Sequence, residues 1–383
     1  MESTRRNGLL LAALFVAIIS VEGPVQAVLD WRGEGRPQIV ALFRQAPTQD
    51  NLRDFETALE ASSWSGAAAR PAIQYARFAL LGAMGDKAIL GRDGWLFYRP
   101  GVDFLTQPWD PVGAPAPGGP LRAIIDLQRD LALRDVALLI VVAPGKASIY
   151  PEQLSRRGGG RGVEIQRHAR AFMDRLDGAG VPYVNLHEIF GAARAGGGEP
   201  LYLARDTHWS PAGVALAAEA VAARVLAEGW VAAGTTAYGV TPVAISREGD
   251  VLRMADSPRI GRAFRPEVVT CMRVTTPEGL PYDDDPDAPV LVLGDSFLRV
   301  YQTDAPGSAG FIAHLAREMG QPVASIVSDG GASTLVRQEL ARRPALLAGK
   351  KVVIWEFVER DLRFGLEGWR PVPLPPQGPM GAR

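Results

Sequence analysis

Val290-Leu291-Val292-Leu293-Gly294-Asp295-Ser296-Phe297 is an unbroken apolar run that stops at a glycine and delivers a serine. Four consecutive apolar residues without polar alternation read as a strand buried on both faces, the pattern of a parallel sheet rather than of one with a wetted side. Glycine permits a tight turn where the strand ends. The same grammar recurs outward from this point. Residues 136–142 form a longer apolar run ending at Pro144-Gly145, and shorter runs fall at 183–186, 323–327 and 352–355. Helical spacing fills the gaps at 121–133, 163–177, 211–226, 310–319 and 334–347, with Ser210 as N-cap and Pro211 at the first helical position of the third. Strands alternating with helices predict an α/β domain, a mostly parallel sheet covered on both faces.

Residues 230–287 break this rhythm with short β-like pieces rich in glycine and proline, and read as a β-rich insertion. Upstream, Gly91-Arg92-Asp93-Gly94 is a turn into a strand at 95–98, and residues 108–120 form a proline- and glycine-rich loop. The α/β domain is expected over 86–365. An alanine-rich helical segment at 28–85 precedes it, and a proline-rich tail at 366–383 reads as disordered.

The N-terminus carries Arg5 and Arg6, an apolar run over 9–21 and small residues up to Ala27. This is the layout of a secretory signal over 1–27. The run is shorter than the roughly 18 residues of a spanning helix, and removal and retention as an inner-membrane anchor both stay open. Export to the periplasm is the expectation. Forty-one basic against 42 acidic residues leave a net charge of -1, so no global footprint for nucleic acid exists. Arg156, Arg157 and Arg161 read as a solvated loop. A single cysteine, Cys271, excludes an intrachain disulfide and a multi-cysteine metal site.

Two short motifs carry chemistry. Asp206-Thr207-His208 would, in an extended segment, point Asp206 and His208 to one side, so that the carboxylate accepts from the imidazole and stabilises the imidazolium. Ser296 lies just past a strand's carboxyl end, where ligands of open parallel sheets gather. Together they supply nucleophile (Ser296), general base (His208) and orienter (Asp206) for covalent acyl transfer. Each has a plain alternative: Asp-x-His pairs occur as surface contacts, and a serine after a strand also caps helices. Asp295 reads as a loop-fixing acceptor. Of the other histidines, His168 and His314 fall in helical stretches, and His187 ends a strand without a carboxylate two residues away.

With these motifs in view, the chain resembles the periplasmic alginate O-acetyltransferase family of the AlgJ/AlgX type, from about residue 91 to residue 361. The blocks that carry the resemblance are Gly94-Trp95-Leu96-Phe97-Tyr98, Pro144-Gly145-Lys146-Ala147-Ser148-Ile149-Tyr150-Pro151, Asp206-Thr207-His208-Trp209-Ser210, Gly294-Asp295-Ser296-Phe297 and Trp355-Glu356-Phe357-Val358-Glu359-Arg360. Ordinary SGNH esterases put the serine block first and the histidine block last; here the order is reversed, as in that family. The resemblance implies an SGNH-hydrolase-like, flavodoxin-like sheet. It also implies an acetyl group received from a membrane-bound O-acyltransferase partner and passed to hydroxyls of an exported, alginate-like polysaccharide, among other biosynthesis or export subunits. No metal or dissociable cofactor is implied. The C-terminal carbohydrate-binding module of some members is not expected in the short stretch after Asp361.

Lys146, Gly330 and Trp209 are further candidates, as substrate or oxyanion contacts and, for Trp209, a sugar-stacking face. Lys146 also reads as loop-fixing, Gly330 and Gly331 as turn glycines, and Trp209 as packing on the following helix. Glu356 and Arg360 read as a structural ion pair. Two other functions stay open: an esterase removing acetyl groups from an exported glycan, and a non-catalytic glycan-binding or scaffold subunit.

Overall fold

The structure, a computed structural model, describes residues 2–34, 40, 44, 46, 48–109, 118–159, 165–255, 257–365 and 368–376. The chain divides into two compact units, residues 1–83 with 256–260 and residues 84–255 with 261–383. In the first, α1 (Glu2–Glu34), α2 (Gln49–Ser62) and α3 (Trp64–Leu81) follow one another. Helix α1 runs without interruption through Pro24 and past Ala27. No helix among the described residues is long and apolar enough to cross a membrane.

The second unit is built on a five-stranded parallel sheet. Its strands are β3 (Ala137–Ala143), β4 (Tyr183–Val184), β7 (Val290–Gly294), β8 (Ala324–Val327) and β9 (Val352–Val358), in the spatial order β4-β3-β9-β7-β8. A small antiparallel pair, β1 (Ala88–Leu90) and β2 (Leu96–Tyr98), precedes it, and a two-stranded antiparallel ribbon, β5 (Gly239–Arg247) and β6 (Glu267–Thr275), lies within the expected insertion.

Period two sends alternate residues of each strand to opposite faces. Leu139, Val141, Val290, Val292, Val352 and Ile354 join one core with helices α6 (Leu186–Ala195), α7 (Pro211–Ala227) and α8 (Phe311–Met319). Leu138, Ile140, Leu291, Leu293, Val353 and Trp355 join another with α4 (Pro120–Ala132), α5 (Arg167–Gly178) and α9 (Leu335–Arg342). Each fully buried Val, Leu or Ile contributes roughly 1.5–3 kcal/mol, which is why β3 and β7 carry no polar residue.

The strand order resolves the reversed motif order. Numbered from the serine strand onward (β7, β8, β9, then β3, β4), the sheet reads 2-1-3-4-5, the flavodoxin-like order. The chain is therefore a circular permutation of that arrangement: its serine still follows the first strand of the sheet's own order, and its histidine block still follows the last.

Three local expectations change. The helix expected over 334–347 ends at Arg342, because Pro344 cannot continue it; a 3-10 turn, Pro344–Leu347, follows. Strand β9 runs three residues past the expected Trp355, its buried Glu356 having masked the apolar pattern. The tail expected to be disordered packs from residue 368 to 376: Trp369 is buried against Trp355 and Phe357, its Nε1 donates to the Asp361 carbonyl at 2.9 Å, and the Leu374 N–H donates to Asp130. Residues 110–117 of the proline-rich loop, 163–164 at the start of the expected helix, and Arg161 lie outside the described residues.

Candidate active site

Ser296 opens a single helical turn, Ser296–Arg299, directly after β7. Gly294 is required there: a Cβ would meet Glu356 Oε2 and Leu298 Cδ1, each at 2.5 Å. Asp295 is buried, and its Oδ1 accepts the Phe297 N–H at 2.9 Å, capping the turn as a loop-fixing acceptor. Ser296 itself is partly exposed.

The histidine loop comes from the other half of the sheet. Ser210 caps α7 by accepting the Gly213 N–H at 3.2 Å, with Pro211 opening the helix. Just before it, Asp206 Oδ1 accepts both the backbone N–H of His208 at 3.0 Å and its ring Nδ1–H at 2.7 Å. The pair is thus fixed by a bend that wraps the carboxylate around the histidine, and not by the extended geometry expected. A carboxylate only accepts, so Nδ1 carries the proton and Nε2 is left as the acceptor. Ser296 Oγ lies 2.8 Å from that Nε2. The three residues expected to act together are therefore joined in one hydrogen-bonded chain.

Four residues that sequence reading passed over hold the loop. Arg247, the last residue of β5, donates from Nε to Asp206 Oδ2 at 2.6 Å and lies over the Tyr301 ring. Asp250 accepts the Thr207 N–H at 2.6 Å and its hydroxyl, with Oδ2 3.6 Å from His208 Nδ1. Glu267 on β6 accepts the N–H groups of Ala204 and Arg205. Gly249 permits the turn between Arg247 and Asp250, with φ +89° and no room for a Cβ, which would clash with the Arg205 carbonyl. The ribbon is thus the scaffold of the histidine loop.

Burial pushes the Asp206 carboxyl up, but the hydrogen bond and charge of His208 and the charge of Arg247 outweigh it and hold Asp206 well below the usual carboxylate range. Burial likewise disfavours charged His208, yet the bond to Asp206 and the charges of Asp206 and Asp250 leave it a stronger base than a free imidazole. Asp250 is pushed up by burial and by the neighbouring Asp206 charge. Ligand atoms of Asp206, His208 and Asp250 lie within 4.8 Å of one another. A cation could use them only by displacing the Nδ1–H and Arg247 from Asp206.

Two of the remaining candidates, Lys146 and Trp209, are corrected. Lys146 is buried, and its Nζ donates to the carbonyls of Leu203, Ala204 and Asp206 at 3.0, 2.9 and 2.7 Å. It is a clamp behind the loop, not a substrate or oxyanion contact, and burial lowers its pKa to about 8. Lys146→Met leaves three buried carbonyls without a donor, so a loss of about 2 kcal/mol in unfolding free energy is expected by urea titration. Trp209 is fully buried, donates from Nε1 to Tyr202 Oη at 3.1 Å, and packs on Phe190, Phe297 and Phe311; no face is free for a sugar. Gly330 stands at φ +66° in the turn after β8, and the Gly331 N–H is taken by the Ser328 carbonyl, so Gly331 has no free N–H for an oxyanion. Glu356 does not pair with Arg360: its Oε2 accepts the Asp295 N–H at 3.2 Å, while Arg360 lies over the Tyr98 ring. His187 does have a carboxylate, distant in sequence, at 2.7 Å: Glu359, which also accepts the Gly145 N–H and the Ser148 hydroxyl.

A parallel sheet in permuted flavodoxin-like order, with a serine, a histidine and an aspartate joined at its rim, defines an SGNH-hydrolase-like α/β protein. Residues 88–359 match the family model described as the SGNH hydrolase-like domain of the acetyltransferase AlgX, and the chain belongs to that family. A protein named "Probable alginate O-acetylase AlgJ" from Pseudomonas aeruginosa is 33% identical over 141 residues, 35% of this chain and 32% of the relative, so the match spans about a third of that relative's length. Its namesake from Pseudomonas fluorescens is 25% identical over 293 residues, 72% of this chain and 68% of the relative. Among solved structures, the O-acetyltransferase domain of Pseudomonas putida AlgJ superposes with a TM-score of 0.57 at 25% identity, covering 72% of this chain and 91% of that one. Pseudomonas aeruginosa AlgX, at 18% identity and a TM-score of 0.54 (71% and 61% covered), shares the fold.

Proposed function

We propose that the protein is a periplasmic O-acetyltransferase that carries an acetyl group on Ser296 and delivers it to hydroxyls of an exported polysaccharide. The observation that carries this reading is the 2.8 Å contact between Ser296 Oγ and the unprotonated Nε2 of His208. Ser296 Oγ attacks the carbonyl carbon of a donor acetyl ester as His208 takes its proton. The C–O bond to the donor alcohol breaks, and that alcohol leaves with the proton from His208. In the second half a sugar hydroxyl gives its proton to His208, attacks the acetyl-serine carbonyl, and Ser296 leaves, reprotonated. Asp206 holds the imidazole and balances its transient charge, itself held by Arg247. Family membership supports acetyl transfer, a membrane-bound O-acyltransferase as donor partner, and a place among polysaccharide biosynthesis or export subunits. The basic and apolar N-terminal pattern supports export to the periplasm.

Incubation with p-nitrophenyl acetate is expected to leave one acetyl group on the peptide bearing Ser296, read by mass spectrometry, and none in Ser296→Ala. An oligosaccharide acceptor should speed release of p-nitrophenol and gain the acetyl group. Absence of the Ser296 adduct, or ester turnover indifferent to any acceptor, overturns transfer.

A further inference from the structure

A cavity of about 550 Å³ opens beside the serine's own helical turn, with Leu298 and Arg299 of that turn in its wall. One helical turn rises 5.4 Å, so the wall begins within one turn of Ser296. Asp283 and Asp284, at the exit of the insertion, and Asp329, after β8, also line it, over an apolar surface that includes Val327. Its charged lining is three aspartates and one arginine. Arg299 is itself spoken for: its Nε lies 2.8 Å from Asp329 and its Nη1 contacts Asp304. The next cation toward the histidine, Arg247, is likewise shared, between Asp206 at 2.6 Å and Asp304 at 3.6 Å. The Asp284 carboxyl is pushed up by burial and takes a hydrogen bond from Ser325; Asp283 stands exposed.

Such a wall offers acceptors for sugar hydroxyls and no unshared cation for a carboxylate-bearing ring. We propose that this cavity is the acceptor subsite and that it takes an uncharged, hydroxyl-bearing sugar residue in preference to a uronate. The proposal rests on the acetyl-transfer reading for the word acceptor, but the binding preference follows from the cavity alone.

The test uses the full chain carrying Ser296→Ala, which keeps the cavity and cannot turn over. Its binding to a neutral gluco-oligosaccharide and to a size-matched oligomannuronate is measured by calorimetry at low ionic strength. The neutral chain is expected to bind roughly tenfold more tightly, with the gap closing as salt screens the aspartates. In wild type, acetyl transfer from p-nitrophenyl acetate should favour the neutral chain to the same extent, and Asp283→Asn with Asp329→Asn should narrow the difference. Equal or tighter binding of the uronate, or no binding of the neutral chain, overturns the proposal. A retained binding preference with no acetyl-Ser296 and no transfer would instead overturn the catalytic reading and leave this one standing.

Discussion

Asp206→Asn is expected to lower kcat for acetyl transfer by roughly 10⁴-fold, an effect of the size seen when a triad carboxylate becomes an amide. The carboxylate serves three donors at once: the His208 N–H, the His208 ring Nδ1–H and Arg247 Nε. An amide has one acceptor oxygen. With that oxygen toward the histidine, its NH₂ faces the Arg247 donor. With the oxygen toward Arg247, the NH₂ faces Nδ1 and favours the tautomer whose proton sits on Nε2, pointing at Ser296. In that tautomer the imidazole cannot take the serine's proton. The pH dependence carries the same signature. Catalysis needs neutral His208, and its pKa is raised overall: burial lowers it, but Asp206 and Asp250 outweigh burial. The wild-type rate should therefore climb with pH through a midpoint above 6.5, the ordinary imidazole value. Removing the Asp206 charge takes away the largest influence that raises it, so the midpoint moves to lower pH in the variant. A stopped-flow series with p-nitrophenyl acetate across pH 5–9 reads both. An unchanged midpoint would mean that Asp206 does not govern the base.

Trp209→Ala is expected to cost about 3–5 kcal/mol of unfolding free energy, the range for deleting a buried large aromatic. The ring is fully enclosed, 5.0 Å centroid to centroid from Phe297 and 5.8 Å from Phe190, and its Nε1 satisfies Tyr202 Oη at 3.1 Å. Its removal also loosens the packing against Phe297, whose ring lies 5.0 Å from that of His208. Equilibrium urea unfolding measures the loss, and Trp209→Phe should recover part of it. A sugar-stacking tryptophan would behave oppositely: acceptor KM would rise while unfolding stayed put.

The sheet was legible because its strands are buried on both faces. A strand such as Leu138-Leu139-Ile140-Val141 cannot tolerate polar residues, and the sequence advertises it. Asp206, His208 and Ser296 were legible because the chemistry restricts residue type and because the strand and helix around them fixed their place on the rim. Arg247 and Asp250 were not, since they belong to a segment without regular periodicity, and their partners Asp206 and Thr207 lie 41 and 43 positions away. Lys146 and Trp209 show the reverse failure. Adjacency to a motif suggested contact with substrate, whereas burial, which a single sequence does not print, turned one into a clamp for carbonyls and the other into core. The tail misled through composition: prolines reduce chain freedom without preventing Trp369 from finding a pocket between aromatic rings.

The permuted strand order has a consequence for how the molecule comes into being. The base leaves the ribosome 88 positions before the serine it serves, its carboxylate two residues earlier still, and the sheet they dock on is completed only when β9 slides between β3 and β7. The central strand is thus the last one made. Until it arrives the two halves of the rim have no common backbone ladder, and closing such distant segments carries an entropic toll that grows with the logarithm of their separation. Chemical competence is consequently a property of the finished chain, and shortening it ahead of Val352 should yield a protein with every reactive group present and no site.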